Sequence, residues 1–175
     1  WTSYFTVPPG HIVPYGDSHL DTPPFVTHFS AIADATQDST LQWFYLQNIV
    51  DSHYRNLTWE LLWYNAQLEP TSPEGKIPRG RAYKTHSACI STRTDWNQRV
   101  TPCVVYGKGG HGAEGHGNHD AGQLCIDGYG ERLITDLGSP PGYPADFFGP
   151  NRYEYYNASV IGHNVLTFDN QEMKR

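Results

Sequence analysis

From Gly107 to Gly122 the chain reads Gly-Lys-Gly-Gly-His-Gly-Ala-Glu-Gly-His-Gly-Asn-His-Asp-Ala-Gly, placing three histidines, an asparagine and an aspartate in one glycine-rich run. Imidazole exchanges protons and binds metals near neutral pH, and glycine lets backbone turn sharply or approach a ligand. A mobile His/Gly loop is the plain alternative. Against it stand two downstream groups, Asp136 at the end of one predicted strand and His163 at the start of another in Gly162-His-Asn-Val-Leu. Polar groups at strand ends can converge. Neutral imidazole with carboxylate suits zinc or manganese, whereas asparagine and carboxylate oxygens alone suit calcium. If residues 116 to 122 run extended, alternation puts His116, Asn118 and Asp120 on one face. His119 then points to the other face unless the backbone bulges.

The elements that must position these groups fall into two blocks. The first seventy residues read as helical. Asp38 to His53 carries Leu41, Phe44, Tyr45 and Ile49 near helical spacing behind a cap at Asp38 or Ser39. Pro24 to Ala35 puts Phe25, Phe29 and Ile32 on one face, and Thr58 to Gln67 buries Leu61, Leu62 and Trp63 behind a cap at Thr58 or Asn56. Proline and glycine from about 68 to 80 deny both helix and ladder, marking a linker. Beyond it come short strand-like runs at Ser87–Thr92, Val100–Tyr106, Gln123–Asp127, Arg132–Asp136 and Asn164–Phe168, with Asp127-Gly-Tyr-Gly as a hairpin signal. The expected fold class is α+β. Three helices and half a sandwich would each need partners from elsewhere in the polypeptide.

Composition narrows the partners. A net charge of −6 with scattered Lys and Arg argues against nucleic acid, which needs a clustered basic face. No apolar run approaches the roughly 20 residues that cross a bilayer, so no membrane partner is expected. Twelve Tyr and five Trp suit carbohydrate stacking as well as ordinary packing. Cys89, Cys103 and Cys125 show no CxxC spacing, and one disulfide, Cys89 with Cys103, stays open. Asn56-Leu-Thr58 and Asn157-Ala-Ser159 fit the glycosylation triplet without fixing a compartment. The start at Trp1 has the look of a trimmed chain.

His116-Gly-Asn-His-Asp-Ala-Gly122, Leu133-Ile-Thr-Asp-Leu-Gly138 and Gly162-His-Asn-Val-Leu166 together resemble the heparinase II/III-like polysaccharide lyases. Those enzymes carry a His-x-His-x-Asp-Ala-Gly motif, a hairpin ending in Asp-x-Gly and a His-Asn-Thr-type strand. Arg93-Thr-Asp-Trp and Tyr15-Gly-Asp-Ser extend the likeness upstream. The resemblance implies an (α/α) toroid, here its last helices over 1–70, followed by the first strands of an antiparallel β-sandwich over 71–175. It implies cleavage of uronic-acid polysaccharides or oligosaccharides by β-elimination, in a secreted or periplasmic enzyme.

Carried over by position, His116 matches the catalytic histidine. Asn118, Asp136 and His163 match the ligands of a divalent metal, zinc in the first instance with manganese or calcium as alternatives, and His119 is a further ligand candidate. Asn118 departs from the family's usual histidine. Tyr153 and Tyr156 stand where some members place a cleft tyrosine, while Arg152, Tyr143 and Arg93 are candidates for substrate contact. The catalytic tyrosine of the toroid has no match in this chain, so it is expected to be an interior piece with little activity alone. A uronate C5-epimerase of the same fold and a non-catalytic carbohydrate-binding or metal-stabilised module are the alternatives.

Overall fold

The computed structural model describes residues 2–48, 56–84, 87–110, 117–169 and 171. Three helices precede a five-stranded antiparallel sheet, an α+β arrangement. The helices are α1 (Thr27–Thr36), α2 (Ser39–Asn48) and α3 (Leu57–Trp63). Asp38 caps α2, its Oδ1 accepting from the backbone N–H groups of Thr40 at 2.9 Å and Leu41 at 3.0 Å. Asn56 does the same for α3 by accepting from the Trp59 N–H. The helix pair α1 and α3 is locked by a buried hydrogen bond from Thr27 Oγ1 to Glu60 Oε1.

Helix α2 buries Phe44 and Tyr45 as its periodicity indicates, but α1 and α3 bury different faces from those periodicity picks out. In α1 the buried residues are Thr27, Ser30 and Ala33, and Phe25 and Ile32 face outward. In α3 Glu60 is buried while Leu61 is 84% and Leu62 67% exposed. Small and hydrogen-bonding side chains on α1 and α3 let them approach their neighbours, which leaves Ile32, Leu61 and Leu62 exposed. Residues 49–53 of the expected second helix lie outside the described residues.

A short hairpin of β1 (Thr6–Val7) and β2 (His11–Ile12) precedes the helices, and the sheet runs in the order β3 (Gly80–Tyr83), β4 (Cys89–Arg93), β5 (Val104–Lys108), β6 (Gln123–Gly128) and β7 (Glu131–Ile134). The β6–β7 hairpin closes on Tyr129 and Gly130, both at positive φ, as a two-residue turn requires. Strand β3 lies at the end of the expected linker. It is too short and too polar to show a period, and forms because the edge of β4 offers it partners. The stretch 164–168, expected to be a strand, makes no ladder, although the Leu124 N–H donates to the Asn164 carbonyl. All three cysteines are free thiols, so no Cys89–Cys103 bond is present.

Alternation gives the sheet two unlike faces. Cys89, Ser91 and Arg93 on β4, Tyr106 and Lys108 on β5, and Cys125 on β6 point inward and are buried. Residues 2 to 13 cover this face: Tyr4, Phe5, Val7 and Val13 form one core with Trp96, Val104 and Tyr106. The N-terminal segment therefore packs with the sheet as well as leading into the helices. On the outer face Ile90 and Leu124 are nearly half exposed, and with Leu166 they line an open groove.

The loop after β2 docks back on the sheet's end. His19 pairs with Gly138 in an isolated antiparallel bridge, and the Ser139 N–H donates to the Ser18 carbonyl at 2.9 Å. Gly138 has φ of +63°, and a Cβ there would lie 2.4 Å from the Ser18 carbonyl oxygen. Glycine is required here by both conformation and contact. Gly138→Ala is expected to cost more than about 1 kcal/mol in urea denaturation, and a variant as stable as the parent would contradict the docking.

Candidate active site

The second half of the histidine-rich run, residues 117 to 122, forms no strand; it is held by side chains from three directions. Its Gly122 N–H donates to the Lys108 carbonyl at 2.7 Å and its His119 N–H to the Ala158 carbonyl at 2.9 Å. Asn118, His119 and Asp120 are all buried and diverge. Asn118 faces the 15–18 loop, His119 lies flat on Tyr153 with ring centroids 3.9 Å apart and planes 5° apart, and Asp120 meets Lys108. His116, the expected catalytic histidine, lies outside the described residues.

Arg152 is the hub of this arrangement. Only 6% exposed, it donates from Nη2 to Asp17 Oδ1 and to Asn118 Oδ1, both at 2.9 Å, and from Nε to the Gly117 carbonyl at 3.4 Å. Its guanidinium also sits over the rings of Phe147 and Phe148, 4.7 and 4.9 Å from their centroids. The Asn118 amide is used at both ends, since its Nδ2 donates to the Gly16 carbonyl at 3.3 Å. The sequence places Arg152 among substrate contacts; in the fold it joins the 15–18 loop to the 117–120 segment.

Asp136 and His163 make a second buried unit. Asp136 Oδ2 stands 2.8 Å from His163 Nδ1, and its Oδ1 accepts from the Gly138 N–H at 2.7 Å. The His163 side chain is 1% exposed, and its Nε2 has no hydrogen-bond partner among the described residues. Asp120 lies within electrostatic reach of both. Burial pushes the Asp120 carboxyl above the ordinary carboxylate range, against the opposing pull of Lys108, whose Nζ lies 2.6 Å from Asp120 Oδ1. Lys108 carries no sequence signal beyond its position at the head of the glycine run, and Asp17 none beyond the Tyr15-Gly-Asp-Ser loop.

The remaining candidates occupy unlike settings. Tyr156 is 54% exposed, on the surface of the 143–163 loop. Tyr143 is 39% exposed, donates to Ser139 Oγ at 3.0 Å and contacts the rings of Phe147 and Phe148. Tyr153 packs on His119 with its hydroxyl 3.5 Å from the Gly117 carbonyl. Arg93 lies in the core under the N-terminal segment, donating to the carbonyls of Tyr4 at 2.6 Å and Thr6 at 3.1 Å, and burial lowers its pKa to about 10.

Of the four expected metal ligands, Asp136 and His163 meet, while Asn118 and His119 are held by other partners. A cation at Asn118 Oδ1 would sit against the Arg152 guanidinium, and the His119 ring is stacked on Tyr153. The Asp136–His163 contact leaves Nε2 as a donor nitrogen backed by a carboxylate, an arrangement common behind metals. Yet among the described residues no three His, Cys, Asp or Glu side chains stand close enough to hold an ion. This donor set does not fit the metal that the resemblance implies, and no chemical step is routed through one.

No protein-family model matches the sequence, and no curated protein matches it. Solved structures do. A mutant of the heparan sulfate lyase HepC from Pedobacter heparinus superposes with a TM-score of 0.67 at 16% identity, over 97% of this chain and 23% of that one. A structure described as heparinase III superposes with a TM-score of 0.63 at 15% identity, over 100% of this chain and 25% of that one. The chain has part of the heparinase III fold. It spans about a quarter of the length of the solved structures it matches. The heparinase III fold thus accounts for the sequence of helices followed by an antiparallel sheet, with the 117–122 segment between β5 and β6.

The electrostatics of that segment yield a test. Lys108→Met strands the buried Asp120 and is expected to lower stability at neutral pH by about 3 kcal/mol. Because the Asp120 pKa is already raised in the fold, losing Lys108 raises it further. The folded variant then binds a proton more tightly than its unfolded chain, so stability falls as pH rises through that window. Urea denaturation at stepped pH should show the deficit largest at neutral pH and shrinking as the carboxyl protonates; a pH-independent deficit would contradict the pairing.

Proposed function

We propose that this chain is part of a polysaccharide lyase that cleaves uronic-acid-containing glycans by β-elimination. The observation that carries the reading is the heparinase III fold over nearly the whole chain, and the His116–Gly122 motif of the sequence supports it. The HepC structure is of a heparan sulfate lyase, which supports a glycosaminoglycan substrate. A secreted or periplasmic location belongs to the same proposal, and no helix among the described residues is long and apolar enough to cross a membrane.

In such a reaction the proton on C5, next to the uronate carboxylate, is removed by a base. The electron pair forms the C4–C5 double bond, the C4–O bond breaks, and the departing oxygen takes up a proton. The C5 carbanion develops charge that the carboxylate shares, so a group that binds or neutralises that carboxylate lowers the barrier. His116 takes the proton-transfer or carboxylate-binding role. Tyr156, half exposed on the 143–163 loop, is accessible to a sugar, whereas Tyr153 is engaged with His119. The remaining parts of the polypeptide supply the other groups of the cleft.

The full-length parent should release unsaturated product from a uronate polymer, read as absorbance of the new double bond. His116→Ala should reduce kcat/KM by at least about 100-fold. Scission that survives this substitution unchanged, or a parent inert toward heparan sulfate, other glycosaminoglycans and alginate, would falsify the reading. Deuterium exchange at C5 without scission would indicate an epimerase instead.

A further inference from the structure

We infer that Arg152 is a positioning residue for the reacting segment and makes no contact with the sugar. This rests on the lyase reading above for its kinetic consequence, though its structural content stands alone. Arg152 lies in the loop between β7 and His163, and as a charged, exposed side chain it would suit a uronate or sulfate. In the fold it is 6% exposed, with Nη2 directed at Asp17 Oδ1 and Asn118 Oδ1 and Nε at the Gly117 carbonyl. Phe147 and Phe148 lie against its guanidinium.

The geometry of the acceptors matters more than their number. Gly117 and Asn118 follow His116 directly in the chain, so fixing the Gly117 carbonyl and the Asn118 amide fixes the backbone from which His116 departs. Asp17 belongs to the loop that leads from the N-terminal hairpin into the helices, and Gly16 from the same loop receives the other end of the Asn118 amide. One cation thus ties the approach to the helices to the segment between β5 and β6. A displacement of about 1 Å at a reacting group can cost on the order of 100-fold in rate. Tyr153 extends the clamp, its ring covering His119.

Lysine cannot replace this arginine, because an ammonium lacks the planar fork that meets several acceptors at once. A residue that holds the reacting groups in place changes turnover. One that binds the substrate carboxylate changes KM, and the two are separable.

The test uses the full-length parent with Arg152→Met, Arg152→Lys and Asp17→Asn, measuring kcat, KM on a uronate polymer, and amide hydrogen exchange over residues 117–123. Arg152→Met is expected to lower kcat at least tenfold with KM within twofold, and Arg152→Lys to recover only part of the loss. Exchange at the His119 amide, bonded to the Ala158 carbonyl, should quicken at least tenfold while β5 and β6 keep their protection. A KM increase with kcat preserved would make Arg152 a substrate contact and overturn the inference. So would unchanged exchange over 117–123, or a loss of protection spread evenly through the sheet, which would mean general destabilisation. Should Arg152→Met fail to fold, Asp17→Asn decides, with the same signs and smaller size. A parent that cleaves no uronate polymer counts against the lyase reading alone, and the exchange measurement then judges the positioning by itself.

Discussion

The guanidinium of Arg152, packed against the rings of Phe147 and Phe148 and bound to Asp17 and Asn118, is the interaction on which the arrangement around the motif depends. Taking a charge out of water is costly, and here Nε and Nη2 are met by groups from two other stretches of chain. That requirement draws the 15–18 loop, the 117–120 segment and the 147–153 loop to one point. The neighbouring contacts follow: His119 lies on Tyr153, the Asn157 side chain donates to the Gly138 carbonyl, and the Ser18 carbonyl accepts from Ser139.

A similar logic governs the sheet. Its inner face carries Ser91, Arg93, Lys108, Gln123 and Asp127, an unusually polar set for a buried surface. Much of this polarity is answered by backbone or by paired charge. Arg93 and Ser91 bind the Tyr4 carbonyl, and Lys108 binds Asp120. Burial raises the Asp127 carboxyl above its ordinary range, against the Tyr106 hydroxyl and the Arg132 guanidinium beside it. The N-terminal residues therefore belong with the sheet for a polar reason as much as an apolar one: without them Arg93 would be buried with its charge unmet. Burial also raises the Cys125 thiol, to about 11, which keeps it protonated at neutral pH. The outer face is plainer, with Ile90, Leu124 and Ile134 partly open to solvent.

The charge arrangement around the motif decides how the expected metal ligands are engaged. Asn118 has one amide, and Arg152 and Gly16 take both its ends. Asp136 is committed to the Gly138 N–H and to His163 Nδ1, so it orients the imidazole. The Asp136–His163 unit is then a buried, directed imidazole whose Nε2 points away from its carboxylate partner, a different object from a shared ligand shell.

Several features were legible in the sequence because they are set by local rules. The α2 cap at Asp38, the α3 cap at Asn56 and the Tyr129–Gly130 turn each depend on residues within a few positions of one another. The strands at Cys89–Arg93 and Gln123–Gly128 followed from alternation, and the order of the three motifs pointed to the heparinase III fold. Burial of the α1 and α3 faces was not legible, unlike that of Phe44 and Tyr45 on α2: α1 buries Ser30 and Ala33 because other helices approach there, and periodicity cannot say which side a neighbour takes. Nor was the stretch after His163, whose Asn164 and Leu166 read as strand but find no ladder. The sequence by itself determined the helix caps and the β6–β7 turn, most of the helices and strands, and which polar residues travel together. Only the tertiary structure decided what those residues do, because the partners of Arg152 lie 34 and 135 positions away and no local pattern records which of them a buried charge will meet.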